Sequence, residues 1–152
     1  MKKDGRGLRR TMWHWLQTFF GIGRGADAGA RGEAWAAAWL RRERGFTIVA
    51  RNWRSPRDRR DELDLVCRDG GVLVFVEVKA RAADALVPGF FAVNQRKKRV
   101  LRRAIDAYLA QLARVPRTFR LDVVEVAFKA GAGEPEVLHF ENVKLFSKYY
   151  RG

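Results

Sequence analysis

Glu62-Leu63-Asp64-Leu65-Val66-Cys67-Arg68-Asp69-Gly70-Gly71-Val72-Leu73-Val74-Phe75-Val76-Glu77-Val78-Lys79-Ala80 reads as two strands joined by a tight turn. Its first third alternates polar and apolar residues, Arg68 to Gly71 supply turn-forming residues, and the valine-rich remainder is strongly β-prone. Side chains in a strand alternate faces, so Leu73, Phe75, Glu77 and Lys79 share one face and Val72, Val74, Val76 and Val78 line the other. Both faces are apolar until the strand's last residues. A strand covered on both sides should not end with an acid and an amine two residues apart, because a buried charge needs a partner or a metal. The hairpin therefore anchors a sheet and marks a site.

The chain of 152 residues is 47% hydrophobic and 12% aromatic, which suits one domain with a single core and excludes global disorder. Lys and Arg number 31 against 17 Asp and Glu, a net charge of +14 that favours a polyanionic partner, either nucleic acid or an anionic membrane surface. The single cysteine, Cys67, excludes a disulfide framework and a cysteine-rich zinc site, and makes the reducing cytoplasm the default compartment. It sits on an apolar strand face as a small core residue.

Outward from the hairpin, residues 1–31 form a basic N-terminal segment in which Leu8, Met12, Trp15, Leu16 and Phe19 recur at helical spacing before Gly21, Gly23 and Gly25 end it. His14, Gln17 and Thr18 interrupt the apolar part, against a secretory signal. Residues 1–20 suit weak contact with a membrane surface and are too short to span one. Gly32 to Arg44 is helical, closed by Gly45, with Glu33 on the stripe of Ala36, Ala37 and Leu40. That stripe lets the helix lie close to a sheet and carry Glu33 to the sheet's end; otherwise Glu33 is an acid favoured by the first helical turn. Phe46 to Trp53 is a strand, and Arg54 to Asp61 a charged loop expected to stand in solvent.

Beyond the hairpin, Ala80 to Gly89 reads as a loop. A long helix from about Asn94 to Ala113 buries Val100, Leu101, Ala104, Ile105, Tyr108 and Leu112. Arg96, Lys97, Lys98, Arg99, Arg102 and Arg103 crowd its first turns with no acid among them, which opposes the helix dipole unless an anion lies near. Lys97 precedes Val100 and Leu101 by three and four residues and so points to the sheet side. Pro116 breaks the helix, Phe119 to Phe128 is a strand, and Glu136 to Phe140 is its edge partner. An α/β domain over 32–142 follows, with a mixed sheet of four to five strands flanked by helices and an unassigned tail at 143–152. The crossover helix makes the strand ending at Lys79 parallel to the one containing Leu121.

Antiparallel pairing in the hairpin puts Asp64 beside Glu77 and Lys79. Two neighbouring carboxylates repel unless one is protonated or a cation lies between them. Oxygen ligands, with the remaining positions left to water and phosphate, describe a Mg2+ or Mn2+ site. Lys79 is placed to orient water or neutralise the transition state, and Glu33 to add a ligand through water or complete a second metal position. Phosphodiester hydrolysis is the reaction that matches.

Asp64 followed by Glu77-Val78-Lys79, with helical Glu33 upstream, resembles the metal-dependent nuclease superfamily named for its PD-(D/E)XK motif. Gly32-Glu33, Arg51-Asn52-Trp53-Arg54, Glu62 to Val66, Val74 to Arg81 and Arg120 to Val124 are similar to the bacterial YraN-like family, itself related to archaeal Holliday-junction resolvases. The resemblance covers roughly Gly32 to Val126. It implies a restriction-endonuclease-like αβββαβ core, metal ligation by Asp64, Glu77 and the Val78 carbonyl, a catalytic role for Lys79 and a metal-supporting one for Glu33. Asp61 stands where relatives usually have glycine, and the Ser55 to Arg60 loop looks longer than theirs. Leu121 replaces a common phenylalanine. Glu62 and Asp122 take supporting roles, Asp122 either pairing with Arg120 or backing the site.

The reading is thus a Mg-dependent endonuclease acting on branched or otherwise structured DNA, with Arg81, Arg96, Lys97, Lys98, Arg99 and Arg102 meeting the nucleic acid. Resolvase relatives act as homodimers, and no small-molecule substrate is expected. The alternative is a non-catalytic nucleic-acid-binding module whose carboxylates hold a structural ion.

Overall fold

The computed structural model describes residues 28–82, 95–131 and 133–145. The expected N-terminal amphipathic helix, most of the loop after β3, and the end of the tail lie outside the described residues. Helix α1 spans Ala28–Arg44, strands β1 to β3 span Thr47–Arg54, Glu62–Asp69 and Val72–Ala82, helix α2 spans Gln95–Ala110, and β4 and β5 span Phe119–Phe128 and Glu136–Phe140.

The five strands lie in the order β1-β2-β3-β4-β5. β3 and β4 are parallel and every other neighbouring pair is antiparallel, so the sheet is mixed as the crossover through α2 requires. Alternation along β3 divides the core into two layers. Leu73 and Phe75 join Leu63, Val66, Leu121 and Val123 under Leu101, Ile105 and Tyr108 of α2. Val74 and Val76 join Leu65, Cys67, Val124 and Val126 under Ala36, Ala37 and Leu40 of α1. Cys67 is fully buried there, and burial pushes its thiol up to about 12.

α1 starts at Ala28, four residues before Gly32. Gly32 faces the sheet so closely that a Cβ added there would stand 2.6 Å from the Ala80 Cβ. The small-residue stripe thus sets the helix-to-sheet spacing. Gly45, at φ +69°, ends the helix, and the Phe46 N–H donates to the Leu40 carbonyl at 3.1 Å. α2 stops at Ala110, ahead of the expected Ala113, and unwinds through short-range bonds from the Gln111 and Leu112 N–H groups to the Tyr108 and Leu109 carbonyls.

The β1–β2 loop corrects an expectation. Its ends do not stand in solvent: Ser55 and Asp61 are buried. The Ser55 N–H donates to the Asp61 carbonyl at 2.9 Å, and the Asp61 N–H to the Asp58 carbonyl at 2.9 Å. These bonds pair the backbone N–H groups of the two buried residues, which lowers the cost of taking them out of water. Past β5 the chain stays attached: the Val143 N–H donates to the Leu121 carbonyl at 2.7 Å, and Val143 and Leu145 pack on the α2 layer. Among the described residues no helix is long and apolar enough to cross a membrane.

Candidate active site

The β2–β3 ladder is registered from Asp69↔Val72 to Leu65↔Val76. At the next step the Asp64 carboxylate takes over from the backbone, its Oδ2 accepting from the Val78 N–H at 2.8 Å. The side chain is thereby fixed beside the carboxyl end of β3, next to Glu77.

Glu77 is 2% exposed. Its Oε1 accepts from Lys79 Nζ at 2.7 Å and faces Lys97 Nζ at 3.0 Å. Its Oε2 is buried without a hydrogen-bond partner among the described residues. Such an orphan is costly, and it lies where a second carboxylate is also held out of water. Burial, and then the charge of Glu77, push the Asp64 carboxyl up to about 7, against the Val78 N–H and the Lys97 charge that pull it down.

The structure brings together Asp64, Glu77, Lys79 and Lys97. Lys97, expected at the nucleic-acid surface, belongs to this cluster, as its position one turn before Leu101 required. Glu33 is half-buried on α1, and its charge adds a small upward push on Asp64. No three His, Cys, Asp or Glu side chains converge as a metal-holding group among the described residues. The donor set gathered here is therefore the Asp64–Glu77 pair.

The remaining cations divide. Arg96 and Arg99 are exposed on α2, Lys98 is half-buried, and Arg102 stands 4.0 Å from Asp106. Arg81 turns inward, its guanidinium donating to Glu125 Oε1. Asp122 does pair with Arg120, at 2.9 Å, and also accepts from the Asn142 N–H and bonds His139, each at 2.9 Å. Glu62 pairs with Arg54 at 3.0 Å.

Glu125 is the residue that sequence reasoning missed. It is fully buried, registered directly against Lys79 across the parallel β3–β4 pair, and its Oε2 has no hydrogen-bond partner among the described residues. The signal was present. An acid between Val124 and Val126 in a central parallel strand breaks an apolar run just as Glu77 does.

A mixed five-stranded sheet flanked by two helices, with Asp64 opposite Glu77-Val78-Lys79, defines an α/β protein with a restriction-endonuclease-like core. Over residues 32–126 the chain matches the uncharacterised protein family UPF0102, and it belongs to that family. It is 49% identical over 122 residues to a UPF0102 protein of Anaeromyxobacter dehalogenans, covering 79% of this chain and 86% of the relative. A UPF0102 protein of Beutenbergia cavernae is 45% identical over 121 residues, covering 79% of this chain and 98% of the relative. One from Symbiobacterium thermophilum is 46% identical over 98 residues, covering 64% and 80%. The YraN-like resemblance is borne out.

Proposed function

We propose that this protein is a metal-dependent nuclease that hydrolyses phosphodiester bonds, acting as an endonuclease on branched or otherwise structured DNA. The observation that carries the reading is the orphaned Glu77 Oε2 beside an Asp64 carboxyl raised to about 7. Two neighbouring carboxylates, one of them with a buried oxygen that has no hydrogen-bond partner among the described residues, fit a hard divalent cation, Mg2+ or Mn2+, which Asp64, Glu77 and the Val78 carbonyl would hold. When bound, such an ion supplies Lewis-acid stabilisation of the charge that builds on the phosphoryl group.

The chain's own groups do the rest. Burial and the Glu77 charge let the Asp64 carboxyl keep a proton up to about pH 7, and a bound cation would favour its ionised form. The Lys79 ammonium, 2.7 Å from Glu77 Oε1, is placed to offset negative charge on the phosphorus oxygens as water adds and one P–O ester bond breaks. Lys97 holds the same carboxylate from the helix side and fixes its rotamer.

One observation favours a second reading. Two lysines already pair with Glu77 Oε1, so the pocket balances much of its charge without chemistry, which suits a non-catalytic nucleic-acid-binding module whose remaining carboxylate oxygens would hold a structural ion.

Calorimetric titration of Mg2+ and Mn2+ into wild type and Asp64→Asn, with cleavage of branched DNA, linear DNA and RNA assayed on the same samples, separates the two. The nuclease reading expects metal heat and cutting that both vanish in Asp64→Asn, and a Lys79→Ala variant that binds metal but cuts about 100-fold more slowly. Metal binding without cutting selects the second reading. No metal binding, even with DNA present, overturns both.

A further inference from the structure

The β1–β2 loop, Ser55 to Asp61, sits at the same end of the sheet as Glu77, since β2 begins where β3 ends. It is latched to α2: Arg103 donates from Nε and one terminal nitrogen to the two oxygens of Asp61, at 3.1 and 2.7 Å. Arg103 belongs to a stripe. Arg96, Arg99 and Arg103 are spaced three and four residues apart and share one flank of α2, whereas Lys98 lies on the other flank, beside residues 139–144. The latch therefore lays the loop alongside the stripe, with exposed Arg57, Arg59 and Arg60 on the loop and exposed Arg96 and Arg99 nearer the Glu77 pocket. Asp58 is spent within the loop, accepting from the Arg60 N–H and side chain at 3.0 Å.

Six arginines on this face stand against Asp58 and Asp61, with Asp106 one turn beyond Arg103 and paired with Arg102. Neither loop nor stripe carries an aromatic side chain, the platform on which single strands are stacked. Cations on two fixed elements, without stacking groups, suit the regularly spaced phosphates of a double helix. We infer that the latched β1–β2 loop and the Arg96–Arg99 flank of α2 form one basic ridge that binds the backbone of duplex DNA beside the Asp64–Glu77 pocket. This rests on the nuclease reading only for what happens to the duplex once bound. Asp61 acts as a positioning residue: it touches no phosphate and holds the loop where its arginines do.

The test uses the full chain, without divalent metal, and a fluorescent duplex of about 24 base pairs, with Kd followed from low to moderate salt. Arg57→Ala/Arg59→Ala and Arg96→Ala/Arg99→Ala should each weaken binding and lower the salt slope by about 0.9 for each phosphate left without its arginine. The equal-charge control Arg114→Ala/Arg117→Ala, at exposed positions beyond the other end of α2, should weaken it clearly less. Asp61→Asn is decisive. It raises the net charge by one, so attraction by overall charge would tighten binding, whereas loss of the latch should weaken it at least about threefold. Arg103→Lys keeps the charge but not the two-point fork and should weaken binding likewise. Thermal midpoints of all variants separate these effects from unfolding. Tighter or unchanged binding by Asp61→Asn in a folded protein, equal weakening in loop and control pairs, or binding of wild type to anionic vesicles but not to duplex would each overturn the inference. Wild type that binds the duplex through this ridge yet cuts nothing with Mg2+ removes the nuclease reading and leaves the ridge standing.

Discussion

Asp64 is half-buried and Asp122 buried, and their pH dependences have opposite signs. Asp64 in the folded chain is raised to about 7 from an ordinary 3.8, so the folded form keeps a proton that the unfolded form has lost between those values. Its contribution to stability is present below about 4 and drains away as pH rises to about 7. The metal-free protein should therefore melt lower at pH 8 than at pH 5 by a margin that Asp64→Asn reduces, and Mg2+ should raise the midpoint more at pH 8. An equal Mg2+ shift at both values would detach Asp64 from the ion. At Asp122, burial pushes upward, but His139, Arg120 and the Asn142 N–H together hold the carboxyl below the usual range. That group stabilises above about 4 and ceases to as pH falls further. Glu125 tests the cost of an unpaired buried charge. Arg81→Ala should destabilise by about 3 kcal/mol, and Arg81→Met with Glu125→Leu by much less, read by urea unfolding. Glu77 and Lys79 were legible because charge at the end of an apolar strand is costly. The Arg81–Glu125 pair was not, because it depends on which residues of two parallel strands lie side by side, and no local pattern carries that register.

Helix α1 lies on the sheet in close contact. Gly32→Ala would ordinarily gain about 1 kcal/mol of helix propensity, but the new Cβ would meet the Ala80 Cβ at 2.6 Å. The helix must lift, so the variant should be destabilised by about 1–3 kcal/mol. Adding Ala80→Gly should restore part of it, and a neutral single variant in chemical denaturation would show that α1 has room to spare over β3. The strands were read closely from sequence, because alternation and turn residues act within a few positions; β4 and β5 begin and end where expected. The start of α1 at Ala28 was hidden by Gly29 and Gly32, which look like breakers until the sheet that requires a small residue is in place. The burial of Ser55 and Asp61 at the ends of the β1–β2 loop was likewise unreadable, since seven charged and turn-forming residues look solvent-bound until Arg103 arrives from another element.

At the scale of the whole molecule, the mixed sheet separates two tasks. The α1 face carries the small-residue stripe and the Asp122–His139–Arg120 network, which fix the fold, while the α2 face collects Glu77, Lys79, Lys97 and Glu125 at one end. The order of elements and the sign of the charge were legible because they follow from connectivity and composition. How the positive charge is shared between the site and the ridge was not, because that is decided by which flank of α2 each cation takes. The sole thiol adds a practical corollary. Cys67 is enclosed in the second strand of the sheet, between layers, in a form that burial keeps protonated. A maleimide or disulfide reagent can reach it only when that sheet comes apart, so its modification rate under native conditions is a clock for global opening, set by the protein itself and needing no engineered probe.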